Sequence, residues 1–201
     1  MDPTQITENF ETLDPASRYR TLVELIVPRP IAFVSTRSAD GSGNLAPFSF
    51  FNGVSSNPPC LIFACSPKRG GLLKDTLRNI LETREFVVNG CSETMAAQVH
   101  QTSADYEYGT NELEKVGLDP VACEVVRCQR VAEAPWSMEC VLHETVDIGE
   151  RGTPGSSVLV IGKILRVHRA QKDWQPLSRL GGNWYGATRK LLEIERPTKA
   201  D

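Results

Sequence analysis

Pro28-Arg-Pro-Ile-Ala-Phe-Val-Ser-Thr36, continuing through Gly41-Ser-Gly-Asn44 to Ala46-Pro-Phe-Ser-Phe-Phe-Asn52, is the stretch whose reading decides the fold. It reads as a strand from Ile31 to Ser35, a tight polar turn, and a second extended segment ending in three phenylalanines. Pro28 and Pro30 exclude helix at the entry, since each fixes φ, lacks an N–H donor and pushes its predecessor towards extended backbone. Gly41 and Gly43 are expected to supply the positive φ that lets the two segments lie antiparallel. A hairpin rich in hydroxyls and aromatics suits a flat ligand with a polar rim, and equally a strand carrying core phenylalanines. On a regular strand Phe48 and Phe50 share a face and Phe51 takes the other, so the three cannot all line one pocket.

Upstream, the first dozen residues read as a loose arm. Asp14-Pro15 is an N-cap followed by proline at the first helical position, which predicts a short helix to about Leu25. Downstream, Asn57-Pro-Pro59 is a turn and Cys60-Leu-Ile-Phe-Ala-Cys65 a continuous apolar strand. Lys74 to Glu82 carries Leu77, Ile80 and Leu81 at helical spacing, with Asp75 or Thr76 as the expected cap, and Glu85 to Asn89 returns as strand. A capped helix is predicted over 92–100, an exposed loop over 102–109 and a short helix over 111–116. Ser137 to Ile148 alternates: Met138, Cys140, Leu142, Val146 and Ile148 on an apolar face interrupted by Glu144, and Glu139, His143, Thr145 and Asp147 opposite. Ser157 to Val167 is apolar on both faces, as a central or interface strand is. The stretch 176–186 is expected to be irregular, with a helical turn over 187–193. About six strands with few long helices predict a mainly β chain, an antiparallel barrel with helices packed outside.

The chain has 201 residues, a net charge of −3, 40% hydrophobic and 23% charged residues. That describes one well-cored domain spanning the chain, with a core of about 20–190, an N-terminal arm over 1–13 and a peripheral tail over 195–201. The slight negative charge gives no electrostatic footprint for nucleic acid. No apolar run reaches the roughly 20 residues of a membrane span, and Met1-Asp-Pro-Thr lacks a basic, apolar leader, so a cytoplasmic protein without a membrane partner is expected. The six cysteines lack C-x-x-C spacing and read as free, mostly buried thiols rather than metal ligands. His100, His143 and His168 have no partner that spacing would place, and are expected at a surface or interface. No catalytic acid or base is nominated.

Chemistry concentrates in two places. Ser66-Pro-Lys-Arg-Gly-Gly71 is a basic loop that runs into the helix beginning at Lys74-Asp-Thr76. Backbone N–H groups at a helix start, the Thr76 hydroxyl and the cations Lys68, Arg69 and Lys74 make a seat for phosphate, to which Ser35 and Thr36 add hydroxyls. The segment Ala46-Pro47-Phe48-Ser49-Phe50-Phe51-Asn52 offers an apolar wall with polar contacts from Ser49 and Asn52, the surroundings an isoalloxazine ring requires. There is no G-x-G-x-x-G after a strand, so a nicotinamide donor would bind transiently, stacked on a flavin.

These motifs stand in the order found in a known family. The opening hairpin, Lys74-Asp-Thr76, Asn79-Ile80, Glu85-Phe-Val-Val-Asn89 and Arg179-Leu-Gly-Gly182 followed by Tyr185 resemble the flavin reductase-like family of FMN-binding split barrels, over about residues 20–190. The resemblance implies a Greek-key-like split barrel, a homodimer, and FMN (or FAD) near the subunit interface. It also implies reduction by NADH or NADPH and onward electron transfer, in some members to an acceptor protein or a monooxygenase. It places ring and ribityl contacts at Ser35, Thr36 and the 46–51 segment, phosphate near Lys74 and Thr76, and Tyr185 as a cover for the ring; Lys68 and Asp75 are expected in the same cofactor site. A non-enzymatic FMN carrier, or a split barrel that binds another ligand, remain the alternatives at this level.

Overall fold

The computed structural model describes residues 6–170 and 173–194. In chain order the described elements are α1 (Pro15–Leu25), β1 (Arg29–Pro30), β2 (Ala32–Arg37), β3 (Gly43–Phe48), β4 (Phe51–Ser56), β5 (Pro59–Cys65), α2 (Asp75–Thr83), β6 (Glu85–Asn89), α3 (Ala96–Gln101), α4 (Glu112–Lys115), β7 (Pro120–Ala122), β8 (Gln129–Val131), β9 (Trp136–Ile148), β10 (Ser157–Arg169), β11 (Leu177–Arg179) and β12 (Tyr185–Ala187).

Seven strands form one sheet in the order β3-β2-β6-β9-β10-β5-β4, antiparallel at every pairing. Its two edges, β3 and β4, are neighbours in sequence, separated only by Ser49 and Phe50. Three Cα–Cα steps span at most about 11 Å, so the sheet must roll until its edges converge. The antiparallel barrel is thus split along a seam at Ser49–Phe50. The sequence reading had carried one extended segment through this point; it is two strands on opposite edges.

Alternation along β2 divides the interior. Ala32 and Val34 join Phe48, Leu61, Phe63, Phe86, Cys140 and Val160 in one core, which Leu77 and Ile80 of α2 also enter. Ile31 and Phe33 join Leu45, Met95, Val99, Leu113 and Leu177 in a second core beneath α3 and α4. The rings of Phe48, Phe63 and Phe86 run in series, with centroids 5.0 and 5.7 Å apart.

Helix α1 starts as expected: Asp14 Oδ1 accepts from the N–H groups of Ala16 and Ser17, and Pro15 occupies the first turn. At its other end the buried Arg29 guanidinium donates to the Val23 and Ile26 carbonyls, which an α-helix leaves unpaired.

Several local expectations are corrected. Gly41 has the positive φ of the hairpin turn (98°), whereas Gly43 already belongs to β3. Lys74, not Asp75 or Thr76, precedes the first residue of α2, and no side chain caps that end. The predicted helix over 92–100 is split into a 3-10 turn at Glu93–Met95 followed by α3. The stretch 176–186 is a hairpin, β11 with β12, that pairs with β1, and residues 188–194 form no regular element.

Strand β9 departs most from its pattern. A register shift opposite Ile161–Gly162 rotates its outer half, so Val146 and Ile148 are exposed. Glu139, expected on the wet face, is fully buried. It accepts from the backbone N–H groups of Glu124, Val125 and Val126 and lies 2.7 Å from His168 Nε2, so His168 has a placed partner after all. Five of the six cysteines are buried and Cys123 is half-buried. Burial pushes the Cys123 thiol up to about 12, leaving it protonated at neutral pH. No helix among the described residues is long and apolar enough to cross a membrane.

Candidate functional site

A groove with three compartments follows the seam, and Pro47 borders all three. Pro47 is half-buried in β3, where an edge strand tolerates its missing N–H.

The first compartment, about 60 Å³, lies at the start of α2 between β3 and the 102–106 loop. Asn44, Ala46, Lys68, Lys74, Asp75 and Thr76 line it. Because no side chain caps α2, its first-turn N–H groups remain available to an anion. The Thr76 hydroxyl is fixed from behind: Asn44 Nδ2 donates to it at 3.0 Å and to Thr36 Oγ1 at 3.1 Å, and Asn79 Nδ2 also donates to Thr36. Thr76 Oγ1 therefore accepts internally and has its own proton to give.

The cations here are not equivalent. Lys68 Nζ is 2.8 Å from Asp75 Oδ1 and 3.3 Å from the Tyr106 carbonyl, so its charge is already met. Lys74 is only loosely matched, 3.8 Å from the exposed Asp105. Arg69 is exposed on the loop and borders none of the three compartments. Glu112, buried on α4, accepts from the Leu45 N–H at 2.8 Å. Burial pushes its carboxyl up against the lowering effect of that bond, and nearby Asp75 adds to the rise.

The second compartment, about 450 Å³, is the widest and the most apolar. Tyr19, Pro47, Phe48, Phe50 and Ala64 wall it, with Ser49, Ser66 and Lys74 at its border. Tyr19 and Phe50 lie 6.1 Å apart between ring centroids, a tilted pair at its mouth. The third compartment, about 250 Å³, holds Ser49, His100, Ser103, Arg179, Asn183 and Tyr185.

Thus the groove gathers Ala46, Pro47, Phe48, Ser49, Phe50, Lys68, Lys74, Asp75, Thr76 and Tyr185. Four of the residues expected there lie elsewhere. Ser35 is turned to the Gln129 carbonyl and Asn89. Thr36 sits behind Thr76 as a buried acceptor. Phe51 packs on the first core and Asn52 is exposed, both on β4 beyond the seam. Alternation separated Phe51 from its neighbours, and the break at Ser49–Phe50 explains why the chain carries it away.

Residues not anticipated include Asn44, Glu112, Tyr19, Arg29 and the 102–106 loop, whose Thr102 is buried although the loop was read as exposed. Asn44 stood within the opening motif, and its spacing eight residues after Thr36 is the hairpin register itself, Thr36↔Asn44. Arg29 also stood within that motif, between Pro28 and Pro30, whereas Tyr19, Glu112 and the 102–106 loop come from other elements.

The architecture defines a class: a split β-barrel with a ligand-sized groove along its seam. A structure of the split barrel domain of a Shewanella frigidimarina protein superimposes with a TM-score of 0.80 at 22% identity, covering 94% of this chain and 96% of that one. Residues 25–184 match the family described as the flavin reductase like domain, and the chain belongs to that family. The crystal structure of nitrilotriacetate monooxygenase component B from Bacillus cereus has a TM-score of 0.88 at 32% identity, covering 96% of this chain and all of that one. An uncharacterized protein of Aquifex aeolicus is 38% identical over 177 residues, 86% of this chain and 90% of its own length.

Proposed function

We propose that the protein is an FMN-binding oxidoreductase of flavin-reductase type, taking hydride from NADH or NADPH and passing the electrons on. The observation that carries this reading is the joining, at Pro47, of an uncapped helix start to a broad apolar bed. The first suits a phosphate and the second a flat ring system. The donor set fits FMN: amides and hydroxyl at one end, aromatic and proline surface at the other.

When bound, FMN supplies the hydride acceptor at N5 and holds the electron pair. The chain's own residues would bind and orient it. First-turn amides of α2, the Thr76 hydroxyl and Lys74 would hold the phosphate, while Lys68 keeps Asp75 neutralised beside it. Pro47, Ser49 and Phe50, with the buried Phe48 as floor, would bed the ring, and Tyr185 lines the adjoining compartment. Neither His100 nor Glu112 would be needed as an acid, since a hydride transfer asks no proton of the protein.

The reading includes a homodimer. Val146 and Ile148 on β9, Val167 on β10 and Val54 on β4 are exposed large apolar residues that a second copy would cover. The likeness to a monooxygenase component supports an oxygenase or another acceptor protein as the onward partner, and a cytoplasmic setting is part of the same proposal.

The test is to incubate the purified protein with FMN, desalt it, and follow NADH and NADPH oxidation with and without added free flavin. Retained yellow colour and flavin-stimulated oxidation are expected. Yellow protein without oxidation would make it an FMN carrier, and colourless protein would remove flavin from the account.

A further inference from the structure

The third compartment carries an uncompensated positive charge. Arg29 and Arg179 are direct partners across the β1–β11 pairing. Like charges in that position repel. Neither has a carboxylate partner among the described residues. Arg29 is 4% exposed and its partners are uncharged: the Val23 and Ile26 carbonyls, and Ser49 Oγ at 3.4 Å. Burial pushes its guanidinium below the ordinary arginine value; Tyr19 opposes the fall and the charge of Arg179 adds to it. Arg179 stacks 4.4 Å over the Tyr185 ring and donates to the Gly182 carbonyl, again with no negative charge. His100 Nδ1 lies 3.4 Å from the Tyr185 phenol oxygen. No carboxylate lines this chamber, whereas Asp75, Asp105 and Glu112 all line the compartment at α2.

Such a pair of arginines is relieved when an anion arrives. The chamber shares Tyr19, Pro47 and Ser49 with the apolar bed, so a molecule seated in it can extend over that bed. We propose that Arg179, with Arg29 behind it and His100, Ser103 and Asn183 around it, binds the acidic group, phosphate or carboxylate, of the second substrate, an inference that rests on the flavin reading above. Tyr185 is then the plate that holds Arg179 in place by cation–π contact.

The test uses FMN-loaded protein titrated calorimetrically with inorganic pyrophosphate and, separately, with benzoate. Pyrophosphate binding identifies the acid as that of a nicotinamide dinucleotide, and benzoate binding as that of an organic-acid acceptor. Arg179→Gln is expected to weaken the bound probe about tenfold or more, the worth of one charge-assisted hydrogen bond. Arg179→Lys, which keeps the charge and guards against misfolding, is expected to restore part of it. The proposal is overturned if neither probe binds the native protein, or if Arg179→Gln binds as well as native. It is overturned equally if Arg179→Gln weakens FMN but not riboflavin, which would give the chamber to the flavin's own phosphate. Protein that never retains FMN refutes the flavin reading at the outset, visible in its colour. The same titrations on colourless protein still report whether Arg179 holds an anion.

Discussion

Asn44 Nδ2 lies 3.0 Å from Thr76 Oγ1 and 3.1 Å from Thr36 Oγ1, joining the two strands of the opening hairpin to the first turn of α2. All three residues are buried, so the contact is made away from water and both hydroxyls are held in one orientation. The hairpin therefore fixes the end of the groove at α2, which Asn44 and Thr76 line and Thr36 does not.

Asn44→Ala removes the shared donor and leaves the buried Thr76 oxygen without one, while Thr36 keeps the bond from Asn79. A stability loss of about 1–3 kcal/mol is expected, read as a lower urea midpoint with unchanged slope. FMN affinity should fall with it, because Thr76 loses its orientation.

Thr76→Ala deletes the hydroxyl proton offered to the phosphate while leaving the α2 amides in place. FMN should bind more weakly by about 1–3 kcal/mol, up to roughly a hundredfold, and riboflavin should bind as before. Quenching of flavin fluorescence gives both constants. Equal FMN affinity in native and variant would remove Thr76 from the site.

Glu139 sets an acid limit on the fold. Burial alone would raise its carboxyl, but three backbone N–H donors and His168 outweigh that and hold it below the ordinary value. A folded value below the unfolded one, about 4.3, gives stability that is present in full above the unfolded value. It is lost as pH falls through the folded value. Glu139→Gln should cost about 2–4 kcal/mol at neutral pH. The gap from native should narrow in urea melts as the pH falls below the unfolded value of about 4.3.

Gly162 faces the Phe86 ring so closely that an added Cβ would overlap the Cζ atom. Phe86 is fully buried in the first core and has no room to withdraw. Gly162→Ala is expected to destabilise by about 1–3 kcal/mol through overpacking, measured as a lower melting temperature. An unchanged temperature would mean that β6 and β10 adjust to one another.

The elements with a strong local signature were legible. Asp14-Pro15 announced α1, the apolar spacing of Leu77 and Ile80 announced α2, and Glu85 to Asn89 read directly as β6. What failed locally depended on distant chain. Strands β11 and β12 have three residues each, too few for alternation to register; β11 pairs with β1 on one side and β12 on the other. Glu139 sat correctly in the period of β9, yet the 124–126 loop covers that face. In the groove, the residue types of the helix start were visible, but not that Lys68 is occupied by Asp75. The aromatic segment was visible, but its division between two sheet edges was not: no glycine marks Ser49–Phe50, and only closure of the barrel requires the break.

The central claim is a flavin held along the seam and reduced by a nicotinamide donor. Its most direct test is anaerobic titration of the FMN-loaded, desalted protein with NADH and then NADPH, following the visible flavin absorbance. The account predicts a bound-flavin spectrum that bleaches at one equivalent of one donor or both, and returns when air is admitted. A protein that carries no flavin after desalting, or a bound flavin that neither donor bleaches, would contradict it.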